Sequence, residues 1–196
     1  PGDYYVVHTD GNLCVENSDT VTVSEPAIIA GTANGANPLC NGESTGSLGV
    51  TIVGGSGAYD VEWFDVATGL TTGQTGTTVT NLVPEGCYYA VITDQLAPAC
   101  IVNSDTVCLT DPAAIAIAVT PIEEQCNSAC DGSATAVVSG GTGALTVSWT
   151  FDPSGLSAGP DGLAISNLCA GDYIATVTDG NLCTETVNFT IDPAPV

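Results

Sequence analysis

Apolar and polar residues alternate along most of this chain. Val, Ile, Thr and Tyr recur at every second position in short runs, and Gly, Asn, Asp and Pro separate the runs. A period of two is typical of half-buried β-strands, and no run shows the spacing of an amphipathic helix. In the central part of the chain the pattern predicts strands at residues 27–33, 46–53, 58–66, 75–82, 86–94 and 102–110. We therefore predict an all-β protein.

The same strand-and-turn signature occurs three times. It reads GDYYVVHTDGNLC from Gly2, GCYYAVITDQLAPAC from Gly86 and GDYIATVTDGNLC from Gly171, so the intervals are 84 and 85 residues. A second signature runs from Gly46 to Trp63 and again from Gly132 to Trp149, 86 residues later. Internal periods of this size indicate tandem repeats. We predict that residues 1–26 are the C-terminal part of a truncated repeat, and that 27–112 and 113–196 are full repeats.

Six or seven short strands in about 85–100 residues are typical of an immunoglobulin-like sandwich. Trp63 and Trp149 alternate with Val in a strand, as a core Trp on the third strand would. Tyr4, Tyr88 and Tyr173 each follow a strand-initial Gly by two residues, where a tyrosine corner returns its hydroxyl to upstream backbone. Short Pro-containing junctions favour a stiff arrangement. The predicted fold is therefore a linear array of immunoglobulin-like β-sandwich repeats of about 85 residues.

The amino-acid composition excludes several classes of function. The 196 residues include no Lys or Arg, 22 Asp plus Glu, one His and nine Cys, for a net charge of −22. Without cations this segment cannot neutralise phosphates, so nucleic acid and anionic lipid are excluded as direct partners. The single His8 has no second base for a nucleophilic dyad. Because its position is equivalent to Ile92 and Val177, we expect it on the inner side of a strand, in a structural role. We predict no enzyme activity and no cofactor.

The repeat sequence resembles a known family. The residues that carry the likeness are CNSACDGSATAVVSGGTGALTVSW from Cys126 and NLCAGDYIATVTDGNLC from Asn167. They resemble the SprB-type repeat of Bacteroidota surface adhesins, whose hallmarks are a Cys-containing entry, a GGTG-type turn, a Trp and a D-x-N-G-C-type turn. The middle repeat departs from the pattern at Pro84–Cys87 and in its longer turn before Cys100. The resemblance implies a secreted, cell-surface, multi-repeat protein that is exported by the type IX system and linked to gliding motility.

The cysteines are read by repeat register, in an oxidising compartment where disulfides are expected. Cys87 and Cys108 occur only in the middle repeat, opposite Asp172 and Phe189 of the last one, and we pair them. Cys130 and Cys169 occur only in the last repeat, and we pair them too.

Two pairings remain open for the other cysteines. Cys40 with Cys183 would join neighbouring repeats. The competing pairing stays within each repeat, with Cys40 bonded to Cys100 and Cys126 to Cys183, and leaves Cys14 for a partner upstream of this sequence. The odd number of cysteines indicates a window in a longer chain.

The sequence also contains candidates for two further kinds of site, calcium binding and O-glycosylation. Turn and junction carboxylates are weak calcium candidates, because Ca²⁺ prefers oxygen ligands: Asp10, Asp94, Asp111 and Asp179. Bacteroidota O-glycosylate Asp-Thr-apolar triplets in exported proteins, so the resemblance makes Thr20 and Thr106 candidates.

The sequence thus predicts a structural stalk segment of a large secreted cell-surface adhesin or extracellular filament. Its partners would be neighbouring repeats of the same chain, surface glycans or other filament subunits. One alternative is a glycan- or calcium-dependent binding module. Another is a self-assembling filament subunit in which residues 1–26 donate strands to a neighbour.

Overall fold

The computed structural model describes residues 1–96, 100–126 and 129–195. Every regular element within these residues is a β-strand, so the predicted all-β class is confirmed. A search of the same residues for a helix able to cross a bilayer found none.

Eighteen strands follow one another along the described chain. The first group is β1 (Gly2–Tyr4), β2 (Val7–Thr9), β3 (Val15–Asn17) and β4 (Val21–Val23). The second is β5 (Ala30–Ala36), β6 (Gly46–Val53), β7 (Tyr59–Asp65), β8 (Thr71–Thr75), β9 (Thr78–Leu82), β10 (Cys87–Asp94), β11 (Ile101–Asn103) and β12 (Val107–Cys108). The third is β13 (Ala116–Ile122), β14 (Gly132–Ser139), β15 (Thr146–Phe151), β16 (Ala164–Leu168), β17 (Gly171–Thr178) and β18 (Thr184–Ile191).

The chain divides into two compact units. Unit 1 comprises Pro1–Asn34, Gly49–Thr78 and Tyr88–Thr106. Unit 2 comprises Gly35–Leu48, Val79–Cys87 and the segment from Val107 onwards.

Unit 2 contains a two-sheet sandwich. One sheet has the strand order β13-β14-β16 and the other β15-β17-β18, and all the pairings are antiparallel. If the six strands are lettered A, B, C, E, F and G, the sheets are ABE and CFG, which is the immunoglobulin arrangement. The immunoglobulin-like topology predicted from strand number and turn spacing is present here.

The core of this sandwich draws on both sheets. Ala134 and Ile165 come from the first sheet, and Trp149, Tyr173 and Val177 come from the second. Trp149 and Tyr173 are each 1% exposed. The indole Nε1 of Trp149 donates a hydrogen bond of 2.9 Å to the Gly162 carbonyl, so its one polar group is satisfied inside.

Unit 1 contains the sheet formed by β11, β10, β7 and β8, in which Ala90 lies opposite Trp63. Trp63 is fully buried and donates from Nε1 to the Gly76 carbonyl at 3.0 Å. The core positions predicted for both tryptophans are therefore confirmed. Residues 1–26 form two short antiparallel pairs, β1–β4 and β2–β3, and all of their side chains are exposed.

Three sequence expectations need correction. The single strand predicted at 75–82 is two strands, because Gly76 turns the chain at φ 100° and β8 and β9 belong to different sheets. The strand predicted at 102–110 is interrupted between β11 and β12. There the Ser104 hydroxyl accepts the hydrogen bond of Ala90 N in place of a backbone carbonyl. His8 is the middle residue of β2, but its side chain is exposed and does not face a core.

Candidate functional site

Three disulfides cross-link the chain. They join Cys40 to Cys183, Cys87 to Cys108 and Cys130 to Cys169, with Cα–Cα distances of 5.6, 4.0 and 3.7 Å. The structure therefore forms the two pairs that the repeat register suggested, and of the two pairings left open it forms Cys40–Cys183. The Cys40–Cys183 bond has a sequence separation of 143 and joins cysteines assigned to two different predicted repeats.

The competing pairing within each repeat is not formed. Cys40 and Cys183 bond each other, so neither can bond Cys100 or Cys126. The fold of unit 2 explains this for Cys126 and Cys183. Cys126 precedes β14 near the end of the sandwich that holds Cys130–Cys169, whereas Cys183 follows the far end of β17. The eight residues of β17 span about 23 Å, beyond the roughly 7 Å that a disulfide allows between Cα atoms.

The loop that carries Cys40 is held by hydrogen bonds as well as by its disulfide. Asn181 Nδ2 donates 3.0 Å to the Leu39 carbonyl, next to the disulfide. Asn41 Nδ2 donates to Asp111 Oδ2 at 2.9 Å and to the Pro112 carbonyl at 2.8 Å. The backbone N of Gly42 adds a bond of 3.0 Å to Asp111 Oδ1, so the loop is fixed on both sides of Cys40.

Cys183 ends a tight turn organised by Asp179. One carboxylate oxygen accepts from the backbone N of Asn181 at 2.8 Å and of Cys183 at 2.9 Å, and the other accepts from Thr142 N at 2.8 Å. Leu182 adopts a left-handed conformation with φ 68°. Burial raises the pKa of Asp179, but these backbone donors outweigh it, and the pKa lies below its ordinary value.

The same turn occurs at residues 10–14, which have the identical sequence Asp-Gly-Asn-Leu-Cys. Asp10 Oδ1 accepts from Asn12 N and Cys14 N, both at 2.8 Å, and Leu13 again has φ 68°. Asp94 organises a longer version in unit 1. It accepts from the Ser56 hydroxyl and from Leu96 N, and these bonds lower its pKa. Cys14 and Cys100 are exposed.

The four calcium candidates all accept hydrogen bonds from N–H groups. The bonds of Asp10, Asp94 and Asp179 are given above. In Asp111, Asn41 Nδ2 and Gly42 N each donate to a different carboxylate oxygen. Their carboxylates therefore organise turns and loops. Among the described residues, the group with metal-ligand geometry is Glu124 with Cys130 and Cys169, and its two sulfurs are joined to each other.

Sequence reasoning missed Glu124. This carboxylate is 4% exposed, and its Oε1 accepts from Cys130 N and Ala170 N, both at 3.1 Å. It thereby ties together the two loops that the Cys130–Cys169 disulfide also joins. Nothing in its neighbourhood distinguishes it from a surface acid in the sequence, since it follows another Glu in a polar run.

Cys87 and Cys108 lie across neighbouring strands, β10 and β12. The alignment that gave Asp172 and Phe189 as the counterparts of Cys87 and Cys108 is wrong by one residue for Cys108, whose counterpart is Thr190. Asp172 faces Thr190, and Phe189 faces Tyr173. The strand break between β11 and β12, which β18 lacks, accounts for the shift.

The two O-glycosylation candidates lie at equivalent strand breaks. Thr20 is exposed between β3 and β4, and Thr106 is exposed between β11 and β12. At each break a serine hydroxyl donates to the next carbonyl: Ser18 to Asp19 at 2.9 Å and Ser104 to Asp105 at 2.7 Å. Both threonines are therefore accessible on the surface.

The family model of the SprB repeat matches residues 32–68. This segment is similar to the SprB repeat. The resemblance inferred from sequence is confirmed there, and the SprB-like segment contains β6, β7 and the buried Trp63. A search of the curated proteins found no match.

Three solved structures are similar to this chain at low sequence identity. One contains three N-terminal domains of the Hoc capsid protein of bacteriophage RB49, at 14% identity and a TM-score of 0.48, covering 84% of this chain and 59% of that one. A second is DIP-gamma IG1+IG2, at 13% identity and a TM-score of 0.40, covering 88% and 99%. A third is a Dscam structure, at 15% identity and a TM-score of 0.35, covering 97% and 54%. The chain thus spans little more than half of the Hoc and Dscam chains.

Proposed function

We propose that this chain is a stalk segment of a large secreted cell-surface adhesin or extracellular filament, and that its task is mechanical, not catalytic. The SprB-like segment and the three disulfides support an extracellular or cell-surface location. Neighbouring repeats of the same protein are its immediate partners, and surface glycans or other subunits are partners of the whole filament. Export by the type IX system and a part in gliding belong to the same proposal.

The Cys40–Cys183 bond carries this proposal. It closes a ring that encloses both other disulfides. When the two ends of the chain are pulled, the residues inside the ring cannot extend until the bond breaks. A chain with no Lys or Arg has no Lys–carboxylate or Arg–carboxylate pairs to hold it, so covalent links and β-sandwich cores supply the resistance.

Single-molecule extension of the chain, tethered at both ends, tests this role. The ring has a sequence separation of 143, of which 21 and 39 stay closed by the other two disulfides, leaving 83. We expect the Cys40→Ser/Cys183→Ser variant to extend farther than the wild type by roughly 280 Å, at about 3.4 Å per residue. A Cys14→Ser variant is the matched control, because Cys14 lies outside the ring, and it should extend like the wild type.

Equal extension of the double variant and the wild type would contradict the mechanical role. A glycan array probed with the full chain separates the stalk from a binding module. We expect no glycan to be retained, and specific retention would favour the binding module.

Residues 1–26 favour a second candidate function, strand donation to a neighbouring subunit. Tyr173 and Ala175 of β17 are 1% and 0% exposed, whereas Tyr4 and Val6 at the equivalent positions of the first signature are 59% and 68% exposed. An apolar strand face of this kind gains free energy when another subunit covers it. Native mass spectrometry under reducing conditions tests this: noncovalent oligomers that disappear when residues 1–26 are deleted would support it, and monomers alone would contradict it.

A further inference from the structure

Each cysteine of the Cys40–Cys183 disulfide has an equivalent elsewhere in the sequence that forms no disulfide in this structure. The Cys40–Cys183 bond joins a cysteine six residues before a strand-initial Gly to the cysteine of an Asp-Gly-Asn-Leu-Cys turn. Cys126 has the first position, six residues before Gly132, and Cys14 has the second. Both Cys14 and Cys126 are exposed free thiols.

The turn that carries Cys14 matches the turn that carries Cys183 in detail. At the bonded turn, Asn181 Nδ2 donates to the Leu39 carbonyl beside the disulfide. Asn12 has the same place in the turn of Cys14, and Asp10 fixes that turn through bonds of the same length to within 0.1 Å. Cys14 is therefore presented as Cys183 is.

The segment around Cys126 matches the segment around Cys40 as well. The Cys40 carbonyl accepts from the backbone N three residues later, Glu43 N at 3.3 Å, and the Cys126 carbonyl accepts from Ala129 N at 3.0 Å. The contact made by Leu39 uses only its backbone carbonyl, so Gln125, which precedes Cys126, can make the same contact. No Leu side chain is required at that position.

We propose that Cys126 of one copy of this chain forms a disulfide with Cys14 of a second copy, and that Asn12 of the second copy donates to the Gln125 carbonyl of the first. The bond already formed between the register equivalents, Cys40 and Cys183, is the template for this contact. Each copy carries one cysteine of each kind, so the contact is head-to-tail and continues as an open chain of copies.

The reaction is an oxidation that needs an electron acceptor. Two thiols lose two protons and two electrons as the S–S bond forms, and a small-molecule disulfide takes them up and is cleaved to two thiols. Oxidised glutathione is a suitable electron acceptor for the test. Because each copy has a net charge of −22, copies repel one another, and the reaction should be run at physiological or higher salt.

The test is to incubate the full 196-residue chain in a glutathione redox buffer and to separate the products on a non-reducing gel. We expect a ladder of dimers and longer species that collapses on reduction. Digestion with an Asp- or Glu-specific protease is needed because the chain offers trypsin no site. It should yield three linked peptides, since Cys126 and Cys130 stay on one fragment: the Cys14 peptide is attached through Cys126 and the Cys169 peptide through Cys130.

Matched variants sharpen the result. Cys14→Ser and Cys126→Ser should each abolish the ladder, and Cys100→Ser should leave it intact. Asn12→Ala should lower the equilibrium yield roughly fivefold, as the loss of one hydrogen bond would, whereas Asn17→Ala should not change it. Thermal unfolding of each variant shows that it is folded.

A monomeric product, a bond between Cys14 and Cys126 of the same chain, or a statistical mixture of cross-links would overturn the proposal. So would a ladder that survives Cys14→Ser. The inference deepens the proposed stalk function by naming the partner, and the two can fail separately. Extension of the Cys40→Ser/Cys183→Ser variant tests the stalk without any contact between copies, and the gel tests the contact without any force.

Discussion

The hydroxyl of Thr190 donates a hydrogen bond of 2.7 Å to Asp172 Oδ1, directly across the β17–β18 pair. Thr22 and Asp3 make the same cross-strand bond, at 2.5 Å, between β4 and β1. Hydrogen-bonded polar pairs of this kind stabilise a strand pairing by about 0.2–1 kcal/mol.

The equivalent position in the middle of the chain holds the Cys87–Cys108 disulfide instead. We expect the variant Cys87→Asp/Cys108→Thr to fold, because the same pair already serves at two equivalent positions. Its free energy of unfolding should fall by about 2–3 kcal/mol, since the closed loop of 21 residues is lost and only part is regained from the hydrogen bond. Denaturant unfolding followed by tryptophan fluorescence measures this.

The double variant Cys87→Ser/Cys108→Ser is its control. It loses the disulfide and gains no Asp–Thr bond, so it should be less stable than the Asp/Thr variant. Equal stability of the two variants would show that the Asp–Thr bond does not form at this position.

Tyr173→Phe should destabilise unit 2 by about 1–3 kcal/mol, because its side chain is 1% exposed and its hydroxyl donates a hydrogen bond of 2.8 Å to the Cys169 carbonyl. This bond is the tyrosine corner that the sequence predicted. Tyr4→Phe is the control, since Tyr4 is 59% exposed and should change stability by less than about 0.5 kcal/mol. Chemical denaturation compares the two, and an equal loss for both would contradict the role of the corner.

Acid should weaken the fold through Asp179. Its pKa in the folded chain lies below the ordinary value of 3.8 because backbone donors hold the carboxylate, so its contribution is complete above that value. As pH falls from there through the lowered pKa, the contribution is lost. We expect Asp179→Asn to be less stable than the wild type near neutrality and to show a weaker pH dependence below about pH 4.

Thermal unfolding measured from about pH 7 down to about pH 2 checks this. Asp161→Asn, which changes an exposed carboxylate, should keep the pH dependence of the wild type. An acid transition in Asp179→Asn as steep as that of the wild type would assign the acid sensitivity to other carboxylates.

Gly31 lies where unit 1 has no room for a side chain. A Cβ placed there would overlap Ile92 Cδ1 and lie 3.3 Å from Val50 Cγ2. Gly31→Ala should therefore cost about 1–3 kcal/mol. In an Ile92→Val background, which removes the overlapping methyl group, the same substitution should cost much less. A full and equal cost in both backgrounds would place the strain elsewhere.

Alternation and turn residues were enough to predict much of the fold. The strands at 46–53, 58–66 and 86–94 lie within one residue of their observed bounds, because each has one face in the core and the pattern records that face. The prediction failed at 75–82, where one run of Thr and Val serves two sheets. Sequence alternation does not show which partner a strand pairs with, and Gly76 alone marked the change.

Some features of the candidate site were likewise predictable from the sequence, and others were not. Aligning the recurring signatures identified the cysteines and the Asp-Gly-Asn-Leu-Cys turn with its Asp, because the identical sequences at residues 10–14 and 179–183 form the same local turn. Glu124 was invisible, since a buried carboxylate that accepts two backbone N–H groups looks like any surface acid until the loops around it are placed. The sequence also did not show that Thr190, one residue after Phe189, lies opposite Asp172. A strand break shifts the register of a pairing without changing the composition of the strand.

The sequence by itself determined the all-β class, the positions of the buried tryptophans and the absence of any Lys or Arg with which to bind phosphates. Only the tertiary structure decided between the two pairings of Cys40 and Cys183. A disulfide requires Cα atoms within about 7 Å. Cysteines 143 positions apart come to 5.6 Å only once the strands between them have packed.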